Sequence, residues 1–271
     1  MIAVVFMTKK FLTVFMSANI FFATANAQET SEELWAEFEA RKNIIKDLQE
    51  KDLDFSLEAR YFSPSSSMRI NTANANWNGG TLDLKKDLNL VNKNIPEIIF
   101  RYKNFSIDYL QMQRHGENFF AGELNLDGKS FSGGTSAKNN FQYIKFNVDN
   151  DIISLMGTGA FWSYGLAGIY WRGSVENFSG ASQKNYFVPM PTVGLGIYMA
   201  IMPKMKIYLN FSGMFMGGKG HLRDFESGLR YSPSKNFTLT AGFRSLEFNI
   251  NNKGNGDFKM NGPFIGLRSD F

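Results

Sequence analysis

The sequence contains no cysteine. Thiol nucleophiles, disulfides and cysteine-ligated metals are therefore excluded. For an exported chain, that lack also avoids mispairing in an oxidising compartment. Histidine is nearly as scarce, with only His115 and His221, and no His/carboxylate cluster has ligand spacing. Metal binding has little support on that count, and no cofactor is expected. Net charge is small, +4, and falls to +2 once Lys9 and Lys10 leave with the segment described below. A value that small does not suggest nucleic acid as a partner. Proline is sparse, seven in 271 residues. The mean hydropathy of -0.23 excludes a bundle of transmembrane helices. Gly217-Gly218-Lys219-Gly220 lacks the full phosphate-loop spacing and reads as an ordinary loop.

Aromatics and glycine are abundant instead. They make up 15% of the chain and 25 residues respectively, with 27 Phe among the aromatics. That load suits many strands joined by tight turns, and 271 residues suffice for one large β domain.

The N-terminus stands apart. Lys9-Lys10 precede the apolar run 11–22, followed by Ala25-Asn26-Ala27. A basic start, a short apolar core and an A-x-A site predict a secretory signal peptide, 1–27, cut after Ala27. The core is short for a spanning helix. Met7 competes with Met1 as initiator. Residues 28–53 read differently. Thr30 and Glu33 have capping-box spacing, and early glutamates precede Arg41, Lys42 and Lys46. Leu34, Trp35, Phe38, Ile45 and Leu48 recur at roughly helical spacing, which predicts a short amphipathic periplasmic helix.

From residue 54 onward the period is two. Phe55, Leu57, Ala59 and Tyr61 alternate with Ser56, Glu58, Arg60 and Phe62. Ile98, Phe100 and Tyr102 oppose Glu97, Arg101 and Lys103, and a turn near Asn104 returns through Phe105, Ile107 and Tyr109. Long Ser/Asn/Gly-rich loops are predicted over 63–94 and 115–138, the second with room for a hairpin of its own. Asp149-Asn150-Asp151 reads as a short turn. The uncharged run 152–171 has the length of a membrane helix. Its Gly157, Gly159, Gly165 and Gly168, set among aromatics, make it a poor one. It reads instead as strand, with Ala167, Ile169, Trp171 and Val175 outward and Gly168, Tyr170, Arg172 and Glu176 inward. Turns at Pro203-Lys204 and 232–236 separate further alternating runs. The chain ends Pro263-Phe264-Ile265-Gly266-Leu267-Arg268-Ser269-Asp270-Phe271. About ten strands are predicted, with eight or twelve as alternatives.

A strand that ends the chain on an aromatic, together with the signal peptide and the alternation of short turns with longer loops, resembles the small bacterial outer-membrane β-barrels, the OmpA-membrane-domain and OmpW-like class. The hairpin echo Arg101-Tyr102-Lys103-Asn104-Phe105 against Arg230-Tyr231 and Lys235-Asn236-Phe237 places aromatics where a girdle would lie. The resemblance covers 55–271 and implies an antiparallel transmembrane barrel over 54–271 in the outer membrane. It also implies outer-membrane lipid and the barrel-assembly machinery as partners, with Phe271, Leu267 and Ile265 as the assembly signal. No functional residue carries over from it.

In such a barrel Arg60, Arg101, Arg172, Glu226, Arg230 and Arg268 are expected to form a charge network in the lumen. A non-enzymatic role follows, as structure or narrow solute path. The alternative is a scaffold whose external loops serve adhesion or ligand binding. A third possibility, a lipid-modifying enzyme, rests on His115 and His221 with Ser130, Ser132 and Asp224, residue types that make a triad only when geometry joins them.

Overall fold

The computed structural model describes residues 55–72, 82–83, 95–126, 129–155, 157–178, 180–215, 220–251 and 254–271. The expected signal peptide and amphipathic helix lie outside the described residues.

Within the described residues the alternating runs form β1 (Phe55–Phe62), β2 (Ser65–Thr72), β3 (Leu82–Asp83), β4 (Ile95–Tyr102), β5 (Phe105–Leu126) and β6 (Lys129–Leu155). They continue as β7 (Thr158–Asn177), β8 (Gly180–Met202), β9 (Met205–Phe215), β10 (Gly220–Tyr231), β11 (Phe237–Asn251) and β12 (Gly254–Asp270). Each pairs antiparallel with its neighbour, and β12 returns to pair with β1, Glu58 standing opposite Arg268 and Tyr61 opposite Ile265. The result is a closed barrel of ten strands, β1 and β4 to β12, with β2 and β3 as additions. β1 and β2 run along the same partner: Phe62 pairs with Phe264 and Ser65 with Asn261. Ser63 and Pro64 interrupt them because proline offers no amide hydrogen to the ladder.

One rim is drawn tight. The connections at 103–104, 203–204 and 232–236, and Gly157, lie on the same end as Phe55 and Phe271. Backbone bonds tie them together: Ser232 N to Lys204 O at 2.8 Å, Asp270 N to Asn236 O at 2.9 Å and Phe271 N to Phe55 O at 2.9 Å. Beside these turns Tyr102, Tyr231, Phe237 and Phe271 are exposed, and the Phe55 and Phe271 rings meet at 5.5 Å. Above them the outer wall carries a band of exposed apolar side chains, including Leu57, Ile98, Trp162, Leu166, Leu195, Leu209, Leu239, Ile265 and Leu267.

Four expectations need correction. Asp149-Asn150-Asp151 is no turn; Asp149, Asn150 and Asp151 pair with Ser163, Trp162 and Phe161 inside β6. A register shift between Asp151 and Ile153 absorbs the extra residue as a bulge, and Gly157, at φ 76°, makes the turn. The expected loop 115–138 is mostly strand, with the β5–β6 ladder continuing to Leu126 and Lys129. Part of the expected loop 63–94 is β2, extending the sheet along β12. Finally, the faces of upper β7 are reversed. Ala167, Ile169 and Val175 are buried inside, while Arg172 and Glu176 are exposed. At that height the interior is apolar and the outer wall polar, the opposite of the arrangement nearer the turns.

Small inward residues make room for large ones. Phe161 pairs with Gly196 and Gly159 with Tyr198, so each aromatic ring covers the glycine facing it across β7 and β8. A Cβ built on Gly196 would collide with the Phe161 ring and lie 2.7 Å from the Asn210 side-chain oxygen. Gly196→Ala is expected to destabilise the barrel by about 1–3 kcal/mol through overpacking. The urea midpoint of the refolded chain, with gel migration as the folding check, measures it.

Candidate functional site in the lumen

Inward positions come from alternate residues of every strand, so closing the sheet collects polar side chains that lie far apart in sequence. Two arginines organise them. Arg60, on β1, donates from Nε to Glu58 Oε1 at 2.6 Å and from Nη1 to Glu226 Oε2 at 2.7 Å, with Glu97 Oε2 at 3.5 Å. Arg244, on β11, grips Asp224 with two bonds, Nε to Oδ1 at 3.0 Å and Nη2 to Oδ2 at 2.9 Å. Its Nη2 also reaches Asp108 Oδ2 at 2.9 Å, and its Nη1 pairs with Glu97. Glu97 thus bridges the two guanidinium groups.

Around this pair the network widens. Lys145 Nζ donates to Ser212 Oγ at 2.6 Å and to Asp224 Oδ2 at 3.1 Å, and the Tyr143 hydroxyl donates to the same oxygen at 3.1 Å. Tyr208 donates to Glu226 Oε1 at 2.7 Å, and Arg101 Nη1 to Glu58 Oε2 at 2.7 Å. Aromatic faces take part as well: Arg60 lies 4.5 Å from the Phe264 ring centroid, Arg230 4.1 Å from that of Tyr208. Planar, forked guanidinium groups suit such multiple carboxylate contacts better than an ammonium would. Five carboxylates (Glu58, Glu97, Asp108, Asp224, Glu226) face Arg60, Arg101, Lys145 and Arg244, so the charges largely cancel.

Above the charged layer the lumen turns apolar. Phe62, Ile95, Leu110, Met112, Phe141, Ile169, Leu222, Leu246, Phe258 and Met260 are buried together. Phe141 and Phe258, on strands far apart around the barrel, stack across it at 4.2 Å with an interplanar angle of 20°.

The residues singled out from the sequence divide. Arg60, Arg101 and Glu226 meet in the network; Arg230 stacks on Tyr208; Arg268 pairs with Asp270 at the turn-side rim, Nε to Oδ1 at 2.6 Å. Arg172 does not join them. It is exposed on the outer face of β7 and donates to Gln183 at 2.7 Å. Ile265 and Leu267 point outward, and Phe271 caps the rim against Phe55. The residues weighed for a triad are not brought together. His115 stands beside Glu117 at 3.2 Å and His221 beside Glu247 at 3.5 Å, on strands β5 and β10. Asp224 lies inside, bonded to Arg244, and Ser130 stands opposite Asn125 near the tip of the β5–β6 hairpin. Arg244 carries more of the network than alternation along β11 could indicate. Its signal is a lone arginine after a run of small inward residues, Thr238, Thr240 and Gly242.

No protein-family model matches the chain, and no curated protein sequence matches it. Solved structures do. The outer membrane protease OmpT from Escherichia coli aligns with 80% of this chain and 96% of its own at a TM-score of 0.51 and 9% identity. The translocator domain of the autotransporter NalP from Neisseria meningitidis aligns over 89% of this chain and 98% of its own, at a TM-score of 0.40 and 8% identity. Neisserial surface protein A covers 80% and 97%, at 0.33 and 14%. At 9% identity the likeness to OmpT is one of fold: this chain has the fold of an outer-membrane β-barrel.

Removing Arg244 would take from Asp108 its ion-pair partner and leave Asp224 to Lys145 and Glu97 to Arg60 alone. Arg244→Met is expected to destabilise the barrel by about 3–5 kcal/mol, the usual cost of breaking a buried ion pair from one side. Equilibrium unfolding of the refolded chain in urea measures it.

Proposed function

We propose that the protein is a bacterial outer-membrane barrel with a closed lumen, a structural element of the envelope rather than a solute path. The observation that carries closure is the Phe141–Phe258 stack across the lumen, lying above arginines whose ion pairs also cross from wall to wall. Barrels of few strands are filled by side chains, and wide aqueous channels belong to much larger ones. The membrane setting rests on the outward apolar band, the aromatic row at the tight rim and the closed hydrogen bonding that lipid demands. Export would follow the signal peptide at 1–27. Insertion would use the assembly machinery, with Phe271, Leu267 and Ile265 as the outward-facing strand it reads. Lipid is the standing partner, and no catalytic role is assigned.

A second reading has its own observation. A strand crosses a membrane in about 9–11 residues, yet β5, β6, β7 and β8 run 22, 27, 20 and 23 residues. They project as an ordered wall on the side away from the tight turns, a rigid platform of the kind on which adhesion or ligand recognition is built.

Single-channel recording of the refolded chain in a planar bilayer tests closure. Silence is expected from protein that shows heat-modifiable migration. Stable discrete conductance from that same material would replace the closed scaffold with a narrow pore.

A further inference from the structure

We infer that the outer face of β5, β6 and β7, just above the apolar band, seats the phosphate of a lipid headgroup in the external leaflet. The inference rests on the outer-membrane reading and gives it a specific lipid contact.

The register lays the residues out in rows. Gln113, Asn140 and Arg172 stand side by side across β5, β6 and β7; His115, Lys138 and Ser174 form the next row outward. These six, with the buried Arg114 and Asn139 between them in sequence, line a cavity of about 360 Å³. Lys138 and Arg172 are diagonal neighbours, with Cβ atoms about 7–8 Å apart in such a ladder, so both long side chains reach one anion between them. Arg172 uses one nitrogen on Gln183, at 2.7 Å, and retains donors for another acceptor. Lys138 is exposed and makes no ion pair among the described residues. His115 sits with Glu117 at 3.2 Å.

Height decides what kind of anion fits. Directly below these rows lie Gln111, Gln142 and Tyr170, with Phe187 opposite Tyr170, and below them Tyr109, Ile144 and Gly168. The basic pair is therefore the first charge met on leaving the apolar band on this wall. One row further out, Glu117 and Glu176 flank Ser136, which confines the positive charge to the edge of the band. A soluble anion has no reason to choose that level. A phosphate anchored to acyl chains is held there by its own hydrocarbon, and each Lys or Arg near a membrane surface adds about 1 kcal/mol to such attraction.

The test reconstitutes the full chain into phosphatidylcholine vesicles containing phosphatidic acid. The lipid retained per chain after mild detergent extraction is then counted by mass spectrometry. Three proteins are compared: wild type, Lys138→Gln/Arg172→Gln, and Lys235→Gln, which removes a charge at the opposite rim. Wild type and Lys235→Gln are expected to enrich phosphatidic acid over phosphatidylcholine, and the double variant to lose about tenfold or more of that enrichment. Equal enrichment in the double variant, with heat-modifiable migration unchanged, overturns the site while leaving the barrel reading intact. A wild-type chain that never inserts overturns the membrane reading instead. Inorganic phosphate alone is the second probe: if it raises the thermal midpoint of wild type but not of the double variant, the site belongs to free phosphate and the headgroup inference fails.

Discussion

The closed part of this fold follows from the need to leave no strand edge unpaired there. A strand edge exposes a row of amide hydrogens and carbonyls, and in hydrocarbon nothing else can satisfy them. β12 closes on β1 in unbroken register from Ser56–Asp270 to Phe62–Phe264, and past the Ser63-Pro64 break the same strand continues with β2. The last residue belongs to this closure. Phe271 bonds through its amide to Phe55 and packs its ring on the first residue of the first strand.

Closure then creates the problem that the lumen solves. Ten strands enclose more space than small side chains fill, and inward positions must be both large and mutually compatible. The solution is stratified. Near the tight turns the space is filled by arginines and carboxylates that hold one another from opposite walls; above them it is filled by phenylalanine, leucine, isoleucine and methionine. Buried charges carry a desolvation penalty of several kcal/mol each, so this layer holds only with its partners complete. Glu97, shared by Arg60 and Arg244, makes the two halves of the layer interdependent.

Much of the architecture was legible because period two is a strong signal where one wall faces an apolar medium. β11 reads cleanly: Phe237, Leu239 and Phe243 are exposed, and Thr238, Thr240 and Arg244 are buried. The turns at Lys103-Asn104, Pro203-Lys204 and 232–236 stand where Asn, Pro and Ser clusters predicted them. The Asp149-Asn150-Asp151 cluster misled because turn-forming residues also sit well at a bulge. The long hairpins look like loops in the sequence because Gly, Ser and Asn are frequent in 115–138, although the strands are carried by pairing rather than by propensity, as β-propensity often yields to context. Which inward charges would meet was not legible, since that depends on the barrel's stagger and not on any strand alone.

The reversal along β7 shows where the simple rule stops. Nearer the turns, Trp162, Tyr164 and Leu166 are exposed and Ser163 is buried; higher up, Ile169 and Val175 are buried while Arg172 and Glu176 are exposed. Strand parity does not change between these segments. What changes is the medium against the outer wall. Against lipid the polar set belongs inside, and against water the apolar set does, so a strand crossing from one to the other must exchange the chemistry of its faces. Alternation alone cannot reveal such an exchange, because both halves alternate equally well. The exchange falls between Tyr170 and Arg172 on β7, and one row nearer the turns on its neighbours, between Ile144 and Gln142 on β6 and between Tyr109 and Gln111 on β5. Three strands changing within one row of each other is what a planar boundary of hydrocarbon would produce, and the first cations beyond it, Arg172 and Lys138, stand where the charged headgroups of that boundary would lie.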